Sequence, residues 1–370
     1  MVAFSPMNAF GTAHRPVEGT PRQILSVTGG GLLGVIPAAM LVRLEELGRA
    51  AHGAEYRLCH SFDLVGGAST GAVIATGVAL GLPAREIASF YLDEAPIGFR
   101  RRRFSIPLLQ DKLDHASLQS HFAGRTRGRR LARGDLHCDL TILTKSLSRA
   151  IPMAFSTLAT AQAGTLCLGA ELRADRLPLD RLLRASTAAP GLFRPEMLPT
   201  GADGAPEICI DGGLSPFNNS ALLLTRLAQS VWPDDLAVTT LGTGLPRTRR
   251  AVGPYQIESA VTRLMKGFTS MVGDMCHHVD DIMNALAEMP GGGLAHRRYD
   301  MDLTASVFSE LGVDVSRAEL RQMRAFADIR GKARLFDIAL RHANRIVEIA
   351  PPLTARGRSE LGVPACARAA

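Results

Sequence analysis

Cysteine is sparse in this 370-residue chain, and its six residues, Cys59, Cys138, Cys167, Cys209, Cys276 and Cys366, lie far apart. Without a C-x-x-C there is no zinc ribbon to propose and little basis for a disulfide framework, which leaves reduced, buried thiols. Aromatic residues are scarce as well, 5% with a single Trp. That is thin material for base-stacking platforms, and no recognised nucleic-acid module is present, so no nucleic acid partner is expected. The opening "MVAFSPMNAFGTAHRPVEG" lacks a basic stretch leading into an apolar core. It does not read as a secretory signal, and residues 1–21 are expected to form a flexible lead-in to a cytoplasmic protein. Acidic residues are outnumbered, 35 against 42 Lys and Arg, for a net charge of +7. The excess favours anionic partners, whether phospholipid headgroups, nucleic acid or nucleotides, without choosing among them.

Apolar residues make up 46% of the chain and charged residues 21%, an ordinary globular balance that allows one or two domains. "ILSV" (24–27), "FDLV" (62–65), "LTILT" (140–144), "EICI" (207–210) and "LAVTTL" (236–241) read as buried strands. Between the first two, "VIPAAMLVRLEELGRA" sets Ile36, Met40, Leu44 and Leu47 on one face, with Arg43, Glu45 and Glu46 turned away. That is an amphipathic helix docked on a sheet, and strand–helix–strand implies a mostly parallel sheet covered on both faces.

The uncharged stretch "LVGGASTGAVIATGVALG" (64–81) places Ser69 at its centre. A membrane span, a buried helix and a strand turning sharply into a helix compete for it. Its glycines weaken a lone span, whereas Gly67-Ala-Ser69-Thr-Gly71 between a strand and an apolar helix is the pattern of a nucleophile elbow. Glycines at 67 and 71 remove side chains that would collide in the tight turn, and Ser69 projects at a helix N-terminus that favours negative charge. A second turn, "ILSVTGGGLLG", sets Gly29, Gly30, Gly31 and Gly34 between a strand and a helix. Its amides suit an anion, either a dinucleotide pyrophosphate or the oxyanion of a tetrahedral intermediate. The second strand ends in the serine turn rather than in an acidic residue, which favours the oxyanion. A third strand ends at Asp211, followed by Gly212 and Gly213 in "ICIDGGLSPFNN". If both strands end at the C-terminal edge of one sheet, Asp211 can take the Ser69 proton; the alternative is a carboxylate that only caps its turn.

These three motifs in this order resemble the patatin-like phospholipase family, over about Arg22 to Gly244, with "LLRASTAAPGLFRP" (182–195) and "TTLGTG" (239–244) as further family-like phrases. The resemblance implies a three-layer α/β/α fold with a mostly parallel central sheet. It makes Ser69 the nucleophile, Asp211 its base, and the amides at Gly29, Gly30 and Gly31 the oxyanion hole. The implied reaction is hydrolysis of phospholipid or other acyl esters through an acyl-serine, with no cofactor and no metal. Some bacterial members are switched on by nucleotide second messengers, so a small-molecule activator is an open expectation. The family loop usually reads Asp-Gly-Gly-Gly-x-Arg/Lys-Gly, whereas Thr28 and Leu33 stand at its charged positions here. Those two departures motivate a catalytically silent, lipid- or partner-binding homologue as the competing reading.

His277, His278, His296 and His342 follow Asp211 in the order of a Ser-His-Asp arrangement, but read more simply as surface or core residues. "GFRRRRF" sets Arg100, Arg101, Arg102 and Arg103 between Phe99 and Phe104. It is either a solvated loop or a peripheral docking site at the inner face of a membrane. The expected organisation is a catalytic domain over 22–245, with a basic helical insertion or cap at 84–135, then a helical extension over 246–370.

Overall fold

The computed structural model describes residues 21–94, 115–158, 177–199, 206–244, 260–303, 305–312 and 329–349. The expected lead-in and the Phe99–Phe104 cluster therefore lie outside the described residues, apart from Pro21. Eight strands form one sheet: β1 (Arg22–Val27), β2 (Leu64–Ala68), β3 (Asp139–Ser146), β4 (Pro152–Ser156), β5 (Glu196–Leu198), β6 (Glu207–Asp211), β7 (Leu236–Leu241) and β8 (Leu294–Tyr299). Five of them, in the order β3-β2-β1-β7-β8, run parallel. Both β4 and β6 run antiparallel to β3, and β5 is antiparallel to β6. The helices are α1 (Val35–His52), α2 (Thr70–Ala79), α3 (Ala84–Ser89), α4 (His115–Thr126), α5 (Leu179–Ser186), α6 (Ala221–Val231), α7 (Ala260–Ala287), α8 (Ala305–Glu310) and α9 (Ile329–Ile349).

The layering follows from the period of two along the central strands. Leu25, Val27 and Val65 join α1, α2 and α9 in one buried cluster, while Ile24, Leu64 and Val238 join α6 and α7 on the opposite face. A strand buried on both faces carries an apolar run rather than an alternation, which is why these segments were recognisable.

Three features differ from expectation. β2 runs on through Gly66 and Gly67, residues that weaken most strands. Here β1 and β3 close in on them: a Cβ at Gly66 would sit 2.9 Å from the Thr141 carbonyl oxygen, and one at Gly67 2.5 Å from that of Val27. Glu45, expected on the outer face of α1, is buried and accepts a hydrogen bond from the Ala84 amide (3.0 Å), which starts α3. The sheet also does not end near residue 245. β8, "LAHRRY", adds a parallel strand at the far edge of β7, with α7 packed on it and α9 against α1. The helical content expected beyond residue 246 is present in α7, α8 and α9, but it wraps a strand of the central sheet.

Candidate active site

The registers on β3 decide where the two motif strands end. Leu143 pairs with Ala68 of β2 on one side and with Ala154 of β4 on the other. One residue on, Thr144 pairs with Met153 of β4 and with Asp211 of β6. Since β4 occupies one edge throughout, β2 and β6 lie end to end along the other, running toward each other. Ser69, the residue after Ala68, therefore meets Asp211. The convergence expected from a common C-terminal edge of parallel strands is corrected here: β6 is antiparallel, and the two strands meet head-on.

Ser69 adopts φ 54°, ψ −124°, a region L-residues rarely enter, and strain of this kind is of order 1–3 kcal/mol. The glycines around it permit the turn. A Cβ at Gly71 would lie 2.1 Å from the Val27 carbonyl oxygen, and one at Gly34 2.3 Å from Thr70 Oγ1. The Ser69 amide donates to Ser186 Oγ (2.9 Å), whose hydroxyl donates to the Leu143 carbonyl (2.6 Å). The elbow is thereby tied to β3 from outside the motif.

The Ser69 hydroxyl donates to Asp211 Oδ2 at 2.8 Å, and the Gly213 amide donates to Asp211 Oδ1 at 2.7 Å. Burial pushes the Asp211 carboxyl up to about 6, against the opposing pull of those two hydrogen bonds and the Arg184 charge. Arg184 is itself buried, with its guanidinium 4.9 Å above the Phe193 ring and donating to the Arg194 carbonyl. Gly212 packs so closely on β3 that a Cβ would sit 2.2 Å from the Leu143 carbonyl oxygen.

The glycine-rich loop completes the cluster. A Cβ on Gly29 would approach Ser69 Cβ to 3.3 Å, so this loop lies directly beside the hydroxyl. Gly29 differs from its neighbours, because its amide already donates to the Asn218 carbonyl (3.1 Å). The expectation that all three glycines offer amides is corrected on that ground. Gly30 and Gly31 are exposed, and among the described residues their amides meet no acceptor. Gly31, at φ +57°, turns the chain into a short 3₁₀ helix. Thr28 is buried and donates to the Leu241 carbonyl (3.3 Å), while Leu33 packs against the core.

No histidine joins Ser69 and Asp211 among the described residues. His296 uses both ring nitrogens on Thr240 and Asn284, and burial pushes its pKa down to about 4. His342 meets the Asp300 carbonyl, and His277 and His278 sit on α7, half-buried and exposed. Asn218, Ser186, Thr243 and Arg184 shape the site without having been singled out in the sequence. All four lie inside the phrases "ICIDGGLSPFNN", "LLRASTAAPGLFRP" and "TTLGTG", whose wording gave no hint of their contacts.

A family model described as patatin-like phospholipase matches residues 25–224. Patatin-like protein 1 of Oryza sativa subsp. indica is 27% identical over 231 residues, covering 57% of this chain and 52% of its own. The cGAMP-activated phospholipase of Vibrio cholerae is 26% identical over 249 residues, covering 60% and 64%. Probable inactive patatin-like protein 9 of Arabidopsis thaliana is 26% identical over 285 residues, covering 68% and 70%. The chain thus spans about half of the rice relative and under two thirds of the bacterial one. With more than half of its own length inside the family model, the chain belongs to the patatin-like phospholipase family.

Proposed function

We propose that this chain is a lipid acyl hydrolase of phospholipase A type that works through Ser69 and Asp211. The observation that carries the reading is the 2.8 Å hydrogen bond from the Ser69 hydroxyl to a buried carboxylate of raised basicity. Asp211 takes the hydroxyl proton as Oγ bonds to the acyl carbon, and the carbonyl oxygen becomes an oxyanion facing the Gly30 and Gly31 amides. The intermediate collapses, the leaving alkoxide takes the proton back from Asp211, and lysophospholipid departs. Water then attacks the acyl-serine, Asp211 accepts its proton, and the returning proton frees Ser69 and the fatty acid.

The proposal extends to peripheral association with an anionic membrane, which the sequence of the Phe99–Phe104 cluster and the net charge of +7 support. Among the described residues no helix is long and apolar enough to cross a membrane. A small-molecule activator is included because one relative is named as cGAMP-activated. The test incubates phospholipid vesicles with the wild type and Ser69→Ala, with and without cyclic dinucleotide, and follows lipids by mass spectrometry. Fatty acid and lysophospholipid are expected from the wild type, reduced at least about a thousandfold in Ser69→Ala. Vesicle binding without any release would favour the silent homologue.

A further inference from the structure

We propose that Asn218 is a positioning residue that holds the Gly30–Gly31 amides in place for the oxyanion, in a loop that lacks the charged residues usual at positions 28 and 33. The inference rests on the hydrolase reading above. Asn218 grips Gly29 through both peptide groups: its carbonyl accepts from the Gly29 amide at 3.1 Å, and its Nδ2 donates to the Gly29 carbonyl at 3.4 Å. Thr243 Oγ1 donates to the same carbonyl at 3.1 Å. The grip is close-packed, since a Cβ on Gly29 would fall 2.2 Å from Asn218 Oδ1 and one on Gly213 2.9 Å from it. Asn218 therefore sits between the loop that would receive the oxyanion and the turn whose Gly213 amide holds Asp211. Its main chain and its side chain each hold Gly29, and the side chain packs against Gly213.

Both anchors of Gly29 return to one ion cluster that the region beyond residue 245 supplies. Asn218 Nδ2 also donates to Cys276 Sγ on α7 (3.2 Å). The neighbouring Asn219 donates to Asp280 Oδ1 (2.7 Å) and to the Cys276 carbonyl. Asp280 is bridged by Arg298 of β8 (2.9 Å), which also binds Asp300. Asp300 in turn accepts from the amide of Gly244, the residue after Thr243 (2.8 Å). The path from α7 and β8 to Gly29 is continuous, half-buried at Arg298 and Asp300 and buried at Asn218 and Thr243, and it does the bracing with neutral contacts at the loop itself.

The test compares an aryl ester with its thionoester, because an oxyanion cradle discriminates between developing oxygen and sulfur anions while general disorder slows both alike. Asn218→Ala is expected to lower kcat on the oxygen ester about 10- to 100-fold, with KM within about threefold. The thionoester is expected to suffer less, so that the oxygen-to-sulfur rate ratio falls at least about threefold. Equal losses on both esters, or no loss, would overturn the proposal. If Asn218→Ala fails to show a cooperative melt, the near-isosteric Thr243→Val carries the same test, with a smaller fall in the ratio expected and an unchanged ratio overturning it. Ser69→Ala separates the two levels. Ester turnover that survives Ser69→Ala defeats the hydrolase reading, whereas an inactive Ser69→Ala beside an unchanged ratio in Asn218→Ala defeats this inference alone.

Discussion

Above about pH 6 Asp211 is an anion with little water around it, held by the Ser69 hydroxyl, the Gly213 amide and the field of Arg184. Its folded pKa of about 6 stands above the ordinary 3.8. Below 3.8 both folded and unfolded chains hold the proton, and the group contributes no difference. As pH rises through the window, the unfolded chain releases its proton first, so stability declines until about pH 6 and stays lower beyond it. Asp211→Asn removes that penalty. It is expected to be inactive yet more stable than the wild type at pH 8, by up to about 3 kcal/mol at 1.36 kcal/mol per pH unit, with the gap closing at pH 3.5. Thermal unfolding at the two pH values checks this, and a pH-independent difference would contradict it. Ser69 and Asp211 were legible in the sequence because each is flanked by glycines that only a crowded turn requires. Asn218 and Ser186 were not, because their contacts reach Gly29 and Leu143 across most of the chain, and no local pattern encodes them.

At the level of elements, β2 and β6 owe their meeting to β3, a strand that extends beyond the end of β2 and lends the remaining length to β6. The buried runs of β1, β3 and β7 announce themselves by composition. β8 does not, because "LAHRRY" places two arginines in a strand at the edge of the described sheet. Arg298 of that strand is nevertheless half-buried between Asp280 and Asp300. Removing it leaves the buried Asp280 and the half-buried Asp300 without their cation, and breaking a buried pair typically costs about 3–5 kcal/mol. Arg298→Met is therefore expected to lower the unfolding free energy obtained from urea titration by an amount toward the lower end of that range. A loss below about 1 kcal/mol, the range of exposed pairs, would show that the cluster does not tie α7 and β8 to the sheet.

For the molecule as a whole, the fold class was legible from the order of three motifs, each following a strand. The extent of the sheet was not, because its last strand comes after a 28-residue helix. The whole-molecule arrangement encloses the carboxylate and leaves Gly30 and Gly31 exposed, so under the proposed hydrolase reading the ester enters from the side of those two glycines. Labelling with an alkyl fluorophosphonate tests this account most directly, since the reagent bonds to an activated serine oxygen with loss of fluoride. One adduct is expected, on the peptide bearing Ser69, with a rate that rises through about pH 6 and falls at least about a hundredfold in Asp211→Asn. An adduct on any other residue, or full-rate labelling of Asp211→Asn, would contradict it.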